Sequence, residues 1–257
     1  MSFHAQLPVY VINLARSVDR WQAMAQSAAD NQVSLIRVDA VDGRSVARQQ
    51  WQDIDIKRFG RRNGRTVLPG EYGCYQSHLR ALEAFVESGL PAGIILEDDV
   101  ELVPEFDAKV RAILAVLPQT SLVKLVHHRA GGFLQVATTP HDVRVGACAF
   151  GPEGSSAAYA LTRSAALKLL VGLKPMSLPF DVALGRGWAM DIAVYNVAHN
   201  LLRFAQDRQL PTDVGTTSDY KASKWKKWRR IPAYLFRAHE NNLRIIHALR
   251  CRLFLMR

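Results

Sequence analysis

The stretch Gly93-Ile94-Ile95-Leu96-Glu97-Asp98-Asp99-Val100-Glu101 restricts the possible folds of this chain more than any other. Ile94, Ile95 and Leu96 are apolar at consecutive positions, so a strand through them is apolar on both faces. Such a strand belongs in the interior of an α/β sheet, with helices covering both sides. Three carboxylates follow where the strand leaves the sheet, and in open α/β folds that edge is where ligands bind. Adjacent carboxylates repel one another, and taking them out of water together is costly. A hard divalent cation offsets the cost, since Mg²⁺ and Mn²⁺ take oxygen ligands, usually one or two carboxylates plus substrate phosphates. The stretch reads as a metal–diphosphate site or as a solvated acidic turn, and the rest of the chain weighs between them.

The chain has 257 residues, enough for one α/β domain or slightly more. With 49% hydrophobic and 22% charged residues it is globular in composition, not disordered. Cys74, Cys148 and Cys251 are far apart and lack metal-site spacing, which predicts free thiols in a reducing compartment. Met1 to Tyr10 shows no basic segment followed by an apolar run, so no secretory leader is expected, and no run has the length of a membrane span. The net charge of +10 is concentrated at one end: from Lys221 onward four lysines and seven arginines face the single acid Glu240. The first 220 residues are therefore near neutral, and the basicity signals a partner of the tail.

In order along the chain, residues 8–14 read as a buried first strand. A helix follows, capped by Ser17, with Trp21, Met24, Ala25 and Ala28 on one face. Residues 33–38 read as a second strand ending at Asp39, before a turn at Asp42-Gly43. This β-α-β start predicts parallel strands, with Asn13, Arg16 and Arg20 where a nucleotide would fit. Residues 58–65 read as a Gly-containing basic loop. After Pro69-Gly70 a helix runs through Leu79, Leu82, Phe85 and Val86, with Ser77 and His78 in its first turns. As neighbours these two point about 100° apart and cannot form a nucleophile–base pair, which sets aside a hydrolase triad. A helix follows Pro104, and residues 121–126 read as a strand. His127-His128 lacks a nearby third ligand and is poor support for zinc. Residues 133–138 and 144–150 read as a smaller, antiparallel element. A helix over 164–171, a loop containing Asp181, a helix opened by Asp191 and a last strand over 201–205 complete the reading.

Several blocks, in order, resemble the family 25 glycosyltransferases. They are Val11-Ile12-Asn13-Leu14 with Arg16 and Asp19-Arg20; Val38-Asp39-Ala40-Val41-Asp42-Gly43; Gly70-Glu71-Tyr72-Gly73-Cys74-Tyr75-Gln76-Ser77-His78; Ile95-Leu96-Glu97-Asp98-Asp99-Val100; Ala158-Tyr159-Ala160-Leu161-Thr162; and Pro179-Phe180-Asp181. Residues 212–219 resemble the family's closing block only loosely. The resemblance implies a GT-A-type fold: a nucleotide-binding, Rossmann-like α/β core with a mixed central sheet and a smaller acceptor-side part. It implies a UDP-hexose donor, galactose or glucose, and a lipid-linked oligosaccharide acceptor. It places Glu97-Asp98-Asp99 at the fold's Asp-x-Asp position, with Asp99 and Glu97 toward Mn²⁺ or Mg²⁺. Asn13, Leu14, Arg16, Arg20, Asp39, Ser77, His78, Glu97 and Asp98 are then the expected donor-binding residues. Inversion at the sugar carbon needs a carboxylate base opposite the leaving group, with Asp181 the first candidate and Asp191 the second.

The expected organisation is a catalytic domain over 1–220 and a basic, Trp-containing helical tail over 221–257. In the tail, Lys224-Trp225-Lys226-Lys227-Trp228-Arg229-Arg230 interleaves tryptophan with cations, which suits an anionic bilayer surface. A peripheral position on the cytoplasmic face of an inner membrane is the expectation. Nucleic acid would also attract the tail, but the neutral body carries no recognition motif, and no nucleic-acid partner is expected. The alternatives are a nucleotide-sugar-binding protein without turnover and a nucleic-acid-binding protein led by the tail.

Overall fold

The computed structural model describes residues 5–205 and 214–255. Its strands are β1 (Val9–Asn13), β2 (Leu35–Asp39), β3 (Ala92–Glu97), β4 (Val100–Glu101), β5 (Ser121–Lys124), β6 (Gly131–Thr138), β7 (Arg144–Phe150), β8 (Ala158–Thr162), β9 (Ala193–Val197) and β10 (Arg203–Phe204). The helices are α1 (Val18–Asp30), α2 (Ile56–Asn63), α3 (Pro69–Glu87), α4 (Phe106–Ala115), α5 (Arg163–Gly172), α6 (Phe180–Leu184), α7 (Gly187–Met190), α8 (Thr217–Ala222) and α9 (Ile231–Leu255). Among the described residues, eight strands form one mixed sheet in the order β2-β1-β3-β8-β5-β9-β7-β6, while β4 pairs with β10.

The doubly apolar strands behave as their sequence requires. Val9, Val11, Ile94 and Leu96 enter the core on one side of the sheet. Tyr10, Ile12 and Ile95 enter the core on the other. Ile94, Ile95 and Leu96 are all fully buried, each worth about 1.5–3 kcal/mol relative to exposure. β1 pairs in parallel with both β2 and β3, with Ile12 opposite Glu97. The chain therefore leaves β1 for one neighbour and later returns on its other side. That reversal makes the crevice beyond the carboxyl ends of β1 and β3 a topological switch point, the position where such sheets bind ligands.

Two expectations change in the folded chain. The basic stretch at 58–65 is not a loop: Asp55 accepts the Arg58 N–H at 2.8 Å and starts α2, which ends at Gly64 in the left-handed region. β6 and β7 are antiparallel, as expected, but they extend the main sheet through β9 instead of forming a separate element. Among the described residues beyond 220, α9 lies on β7, β6 and α2, and its Ala248 and Cys251 join the main core. The three cysteines are free, as their spacing predicts.

The start of α3 is fixed to the loop after β2 by a close backbone approach. A Cβ on Gly43 would lie 1.8 Å from the Pro69 carbonyl oxygen and 2.7 Å from the Gly73 nitrogen. Both obstacles are backbone, so neither can turn aside. Ser77 completes the joint, its hydroxyl accepting the Val41 N–H at 2.8 Å and donating to the Gly73 carbonyl at 2.7 Å. Gly43→Ala is expected to push the loop off α3 at a cost of about 1–3 kcal/mol, the usual range for overpacking. A thermal midpoint equal to that of the parent protein would show that the joint yields freely.

Candidate functional site

A cavity of about 700 Å³ opens at the switch point, within the range of small-molecule sites. Five regions converge on it. Leu14, Arg16 and Arg20 come from the end of β1 and the first turns of α1. Asp42 and Gly43 come from the loop after β2, while Cys74, Ser77 and His78 lie on the inner face of α3. Glu97, Asp98 and Asp99 lie at the end of β3, and Asp181 at the start of α6. The wall is completed by His128, Ser156, Phe180, Phe204, Val214, Gly215 and Tyr220.

The three carboxylates are held differently. Glu97 Oε1 lies 3.2 Å from His78 Nε2 and accepts the Ser156 hydroxyl at 2.8 Å. An ionised carboxylate only accepts, so the His78 proton belongs on Nε2, and Nδ1, 3.2 Å from the Tyr159 hydroxyl, takes that proton as acceptor. The His78 ring also stacks on Phe180, with centroids 4.0 Å apart, and is buried. Burial raises the Glu97 carboxyl, but the hydrogen bonds from His78 and Ser156, with the nearby charge of Arg20, outweigh it and hold Glu97 below its ordinary value.

Asp98 faces Asn13 Nδ2 at 2.6 Å and Arg20 Nη1 at 3.4 Å. Burial nevertheless raises its carboxyl above the ordinary value. Asp99 lines the cavity while its carbonyl accepts the Ala205 N–H at 2.8 Å, which ties the acidic turn to the segment after β10. Asp181 is also raised by burial, against the opposing pull of Lys124.

Of the residues expected from sequence, Leu14, Arg16, Arg20, Ser77, His78, Glu97, Asp98, Asp99 and Asp181 meet in this one cavity. Three do not line it. Asn13 is buried behind it, donating to Asp98 and accepting Arg37 at 2.5 Å, so it positions a carboxylate instead of meeting a ligand. The exposed Asp39 offers its carbonyl to Arg80, and the carboxylate that reaches the cavity from the loop after β2 is Asp42, which pairs with Arg16. Asp191 does not open a helix: it caps the end of α7 in the left-handed region, with a side chain 95% exposed and bonded to Lys168. That position removes it as a candidate base.

Sequence reasoning passed over His128, Ser156, Phe180 and Tyr220. In sequence His128 reads only as half of a His pair with poor support for zinc, whereas in the fold it stacks on Phe204. Ser156 lies two residues before a recognisable strand block, and that adjacency was the available signal. Thr212 and Asp213 of the loosely matching closing block lie outside the described residues, while Val214 and Gly215 reach the cavity.

The donor set distinguishes between metals. Cys74, His78 and Glu97 bring a sulfur, a nitrogen and an oxygen within 4.8 Å of one another. Burial holds the Cys74 thiol well above its ordinary value, and His78 Nε2 already faces Glu97, so these residues do not present a thiolate–imidazole set. The carboxylate oxygens of Glu97, Asp98 and Asp99 suit a hard cation such as Mn²⁺ or Mg²⁺.

A large mixed sheet flanked by helices, with an acidic cluster at its switch point, has the architecture of a GT-A-like, Rossmann-type core. The sequence model described as "Glycosyltransferase family 25 (LPS biosynthesis protein)" matches residues 6–184, and the chain belongs to that family. It is 36% identical over 110 residues to the Bos taurus protein named "Probable inactive glycosyltransferase 25 family member 3", covering 41% of this chain and 18% of the relative. It is 27% identical over 110 residues to procollagen galactosyltransferase 1 of Danio rerio, covering 41% and 18% respectively. To procollagen galactosyltransferase 2 of Homo sapiens it is 27% identical over 118 residues, covering 44% and 19%. The matches thus span less than a fifth of these relatives.

Proposed function

We propose that this protein is an inverting hexosyltransferase, moving galactose or glucose from a UDP-sugar to a hydroxyl of a lipooligosaccharide or LPS-core acceptor. The observation that carries the reading is the convergence of Glu97, Asp98, Asp99 and Asp181 on one cavity at the switch point of the sheet. The LPS acceptor follows the wording of the matching family, and a hexose donor follows the galactosyltransferase relatives.

Asp99, with Glu97 beside it, would hold Mn²⁺ or Mg²⁺, which when bound supplies Lewis-acid stabilisation of charge on a leaving diphosphate. His78 and Ser156 keep Glu97 ionised and fixed in direction. Arg16 and Arg20 bring positive charge to the end of β1, where a nucleotide diphosphate adds negative charge. Asp181 accepts the proton of the acceptor hydroxyl as that oxygen attacks the sugar carbon, and its burial makes it the stronger base. Burial of Asp181 and Asp98 also marks a site from which bulk water is partly excluded, so charges act strongly on one another there.

The test is calorimetric titration of UDP with Mn²⁺, with chelator, and on Asp99→Asn. Metal-dependent binding is expected, weakened in the variant by at least about 10–100-fold, the range found when a metal site's supporting groups are lost. Binding indifferent to both metal and substitution would overturn the metal role of the acidic turn. The relatives named inactive favour a second reading, a nucleotide-sugar-binding protein without turnover. It would bind UDP-sugar with metal yet release no UDP with any acceptor.

A further inference from the structure

We propose that α9 and the segment leading into it form a fixed docking surface for an anionic phospholipid bilayer, with α9 lying in the plane of the headgroups. The inference does not depend on sugar transfer.

Two charges of the helix, Glu240 and Arg244, face inward, while Arg237, Arg250 and Arg252 are exposed. Glu240 pairs bidentately with Arg186 at 2.5 and 3.0 Å, and Arg244 reaches the buried Glu153 at 2.7 Å. Ala233, Ala248 and Cys251 are buried on the same side. At about 100° per residue these inner positions oppose Ile231, Leu235, Ile246, Leu249 and Leu253, which share roughly 60° of arc. All five are exposed, Leu235 by 68% and Leu253 by 63%. An amphipathic helix in a water-soluble fold ordinarily buries its apolar stripe. Here buried ion pairs secure the other face, leaving an apolar stripe unpartnered within the described chain.

The chemistry beside the stripe selects the occupant. Lys224, Lys226, Lys227 and Arg229 are exposed, and the sequence from 220 to 239 contains no acid. Trp228 is exposed among them, with the Arg229 guanidinium 5.6 Å from its ring centroid. This segment is held in place: the Trp225 N–H donates to the Gly64 carbonyl at 2.9 Å, and its ring fills the space a Cβ on Gly60 would need. A second protein surface would match the apolar stripe, but it would have to be acidic along the adjoining cations as well. An anionic bilayer matches both at once, with headgroup charge for the cations, the interface for Trp228 and acyl chains for the leucines. No helix among the described residues is long and apolar enough to cross a membrane, so the contact proposed is in-plane. Tyr220, in the cavity wall, precedes Trp228 by only a short segment, which places the bilayer contact close in the chain to the cavity.

The experiment is flotation of the full chain with phosphatidylglycerol–phosphatidylcholine vesicles, compared with phosphatidylcholine alone, over a salt series and without any sugar nucleotide. Binding to anionic vesicles that weakens with salt is expected. Leu235→Glu with Leu249→Glu should lower it by about tenfold per site, and Lys226→Glu with Lys227→Glu by at least about fivefold per site. Thermal unfolding and light scattering of each variant separate loss of docking from loss of fold. Binding equal on neutral vesicles, or absent from both, would overturn the proposal. So would a parent dimer that the leucine pair makes monomeric without vesicle binding, which would assign the stripe to a second copy. Capture of duplex DNA in place of vesicles would assign the cations to nucleic acid and overturn it equally.

Discussion

Asp181→Asn is expected to lower turnover by about 10²–10⁴-fold, the usual contribution of a general base, while UDP binding survives. The asparagine keeps the shape of the side chain at the start of α6 but cannot accept a proton. A pH profile gives the sharper test. The base must be ionised, and burial raises the Asp181 carboxyl above its ordinary value. Activity should therefore fall on the acid side as pH drops through that raised pKa, at higher pH than an exposed aspartate would impose, and be fully present above it. The residual activity of the variant should lack this limb. A variant with parental turnover, or one retaining the same acid limb, would remove Asp181 from the proton transfer. UDP affinity separates this from collapse of the site, since Glu97 and Asp99 lie on another element.

Glu153→Gln is expected to cost stability on the order of 3–5 kcal/mol, the range for breaking a buried ion pair from one side. Glu153 is 4% exposed and receives Arg244 at 2.7 Å, with Lys124 Nζ 3.9 Å from its other oxygen. Lys124 is fully buried, and burial already pulls its pKa down against the support of Glu153. Removing this carboxylate leaves Arg244 without its ion pair and Lys124 with less opposing charge, in a place with little water to screen them. The denaturation midpoint in urea should fall well below that of the parent. Adding Arg244→Met should recover part of the loss, because the two positions are coupled and their effects do not add. A full additive loss in the double variant would show that the pair is not the source of the effect. The same glutamate fixes the approach to the cavity: its carbonyl accepts the N–H groups of His128 and Arg129 at 3.0 and 3.1 Å, two residues before Ser155. Loosening it should also weaken the hold of Ser156 on Glu97.

Much of the site was legible because it lies on elements with unambiguous local signals. The consecutive apolar residues before Glu97 admit one kind of strand, and its end necessarily carries the three acids to the sheet edge. Leu79, Leu82, Phe85 and Val86 have helical spacing, which puts Ser77 and His78 in the first turns of α3. What each of these side chains does there was not legible. Ser77 is a clamp on Val41, and His78 is a donor to Glu97, because their partners come from segments 36 and 19 residues away. Asn13 is expected to meet a nucleotide and instead supports Asp98, a distinction that depends on the pairing of β1 with β3 and not on residue type.

The sequence alone thus determined a parallel α/β start, an acidic cluster at the carboxyl edge of a central strand, and a terminal segment holding the net positive charge. These follow from short-range periodicity and from the high cost of burying apolar and charged groups in the wrong places. Tertiary packing separated the two candidate carboxylates. It drew Asp181 into the cavity, where burial raises its carboxyl, and left Asp191 in water on Lys168. Packing also decided which way α9 faces. Its sequence offers an apolar stripe and a charged stripe, and periodicity cannot say which turns inward. Arg186 and the buried Glu153 lie far from α9 in the chain, and only the fold brings them to Glu240 and Arg244. Once those charges are paired inside, the apolar stripe is left facing outward.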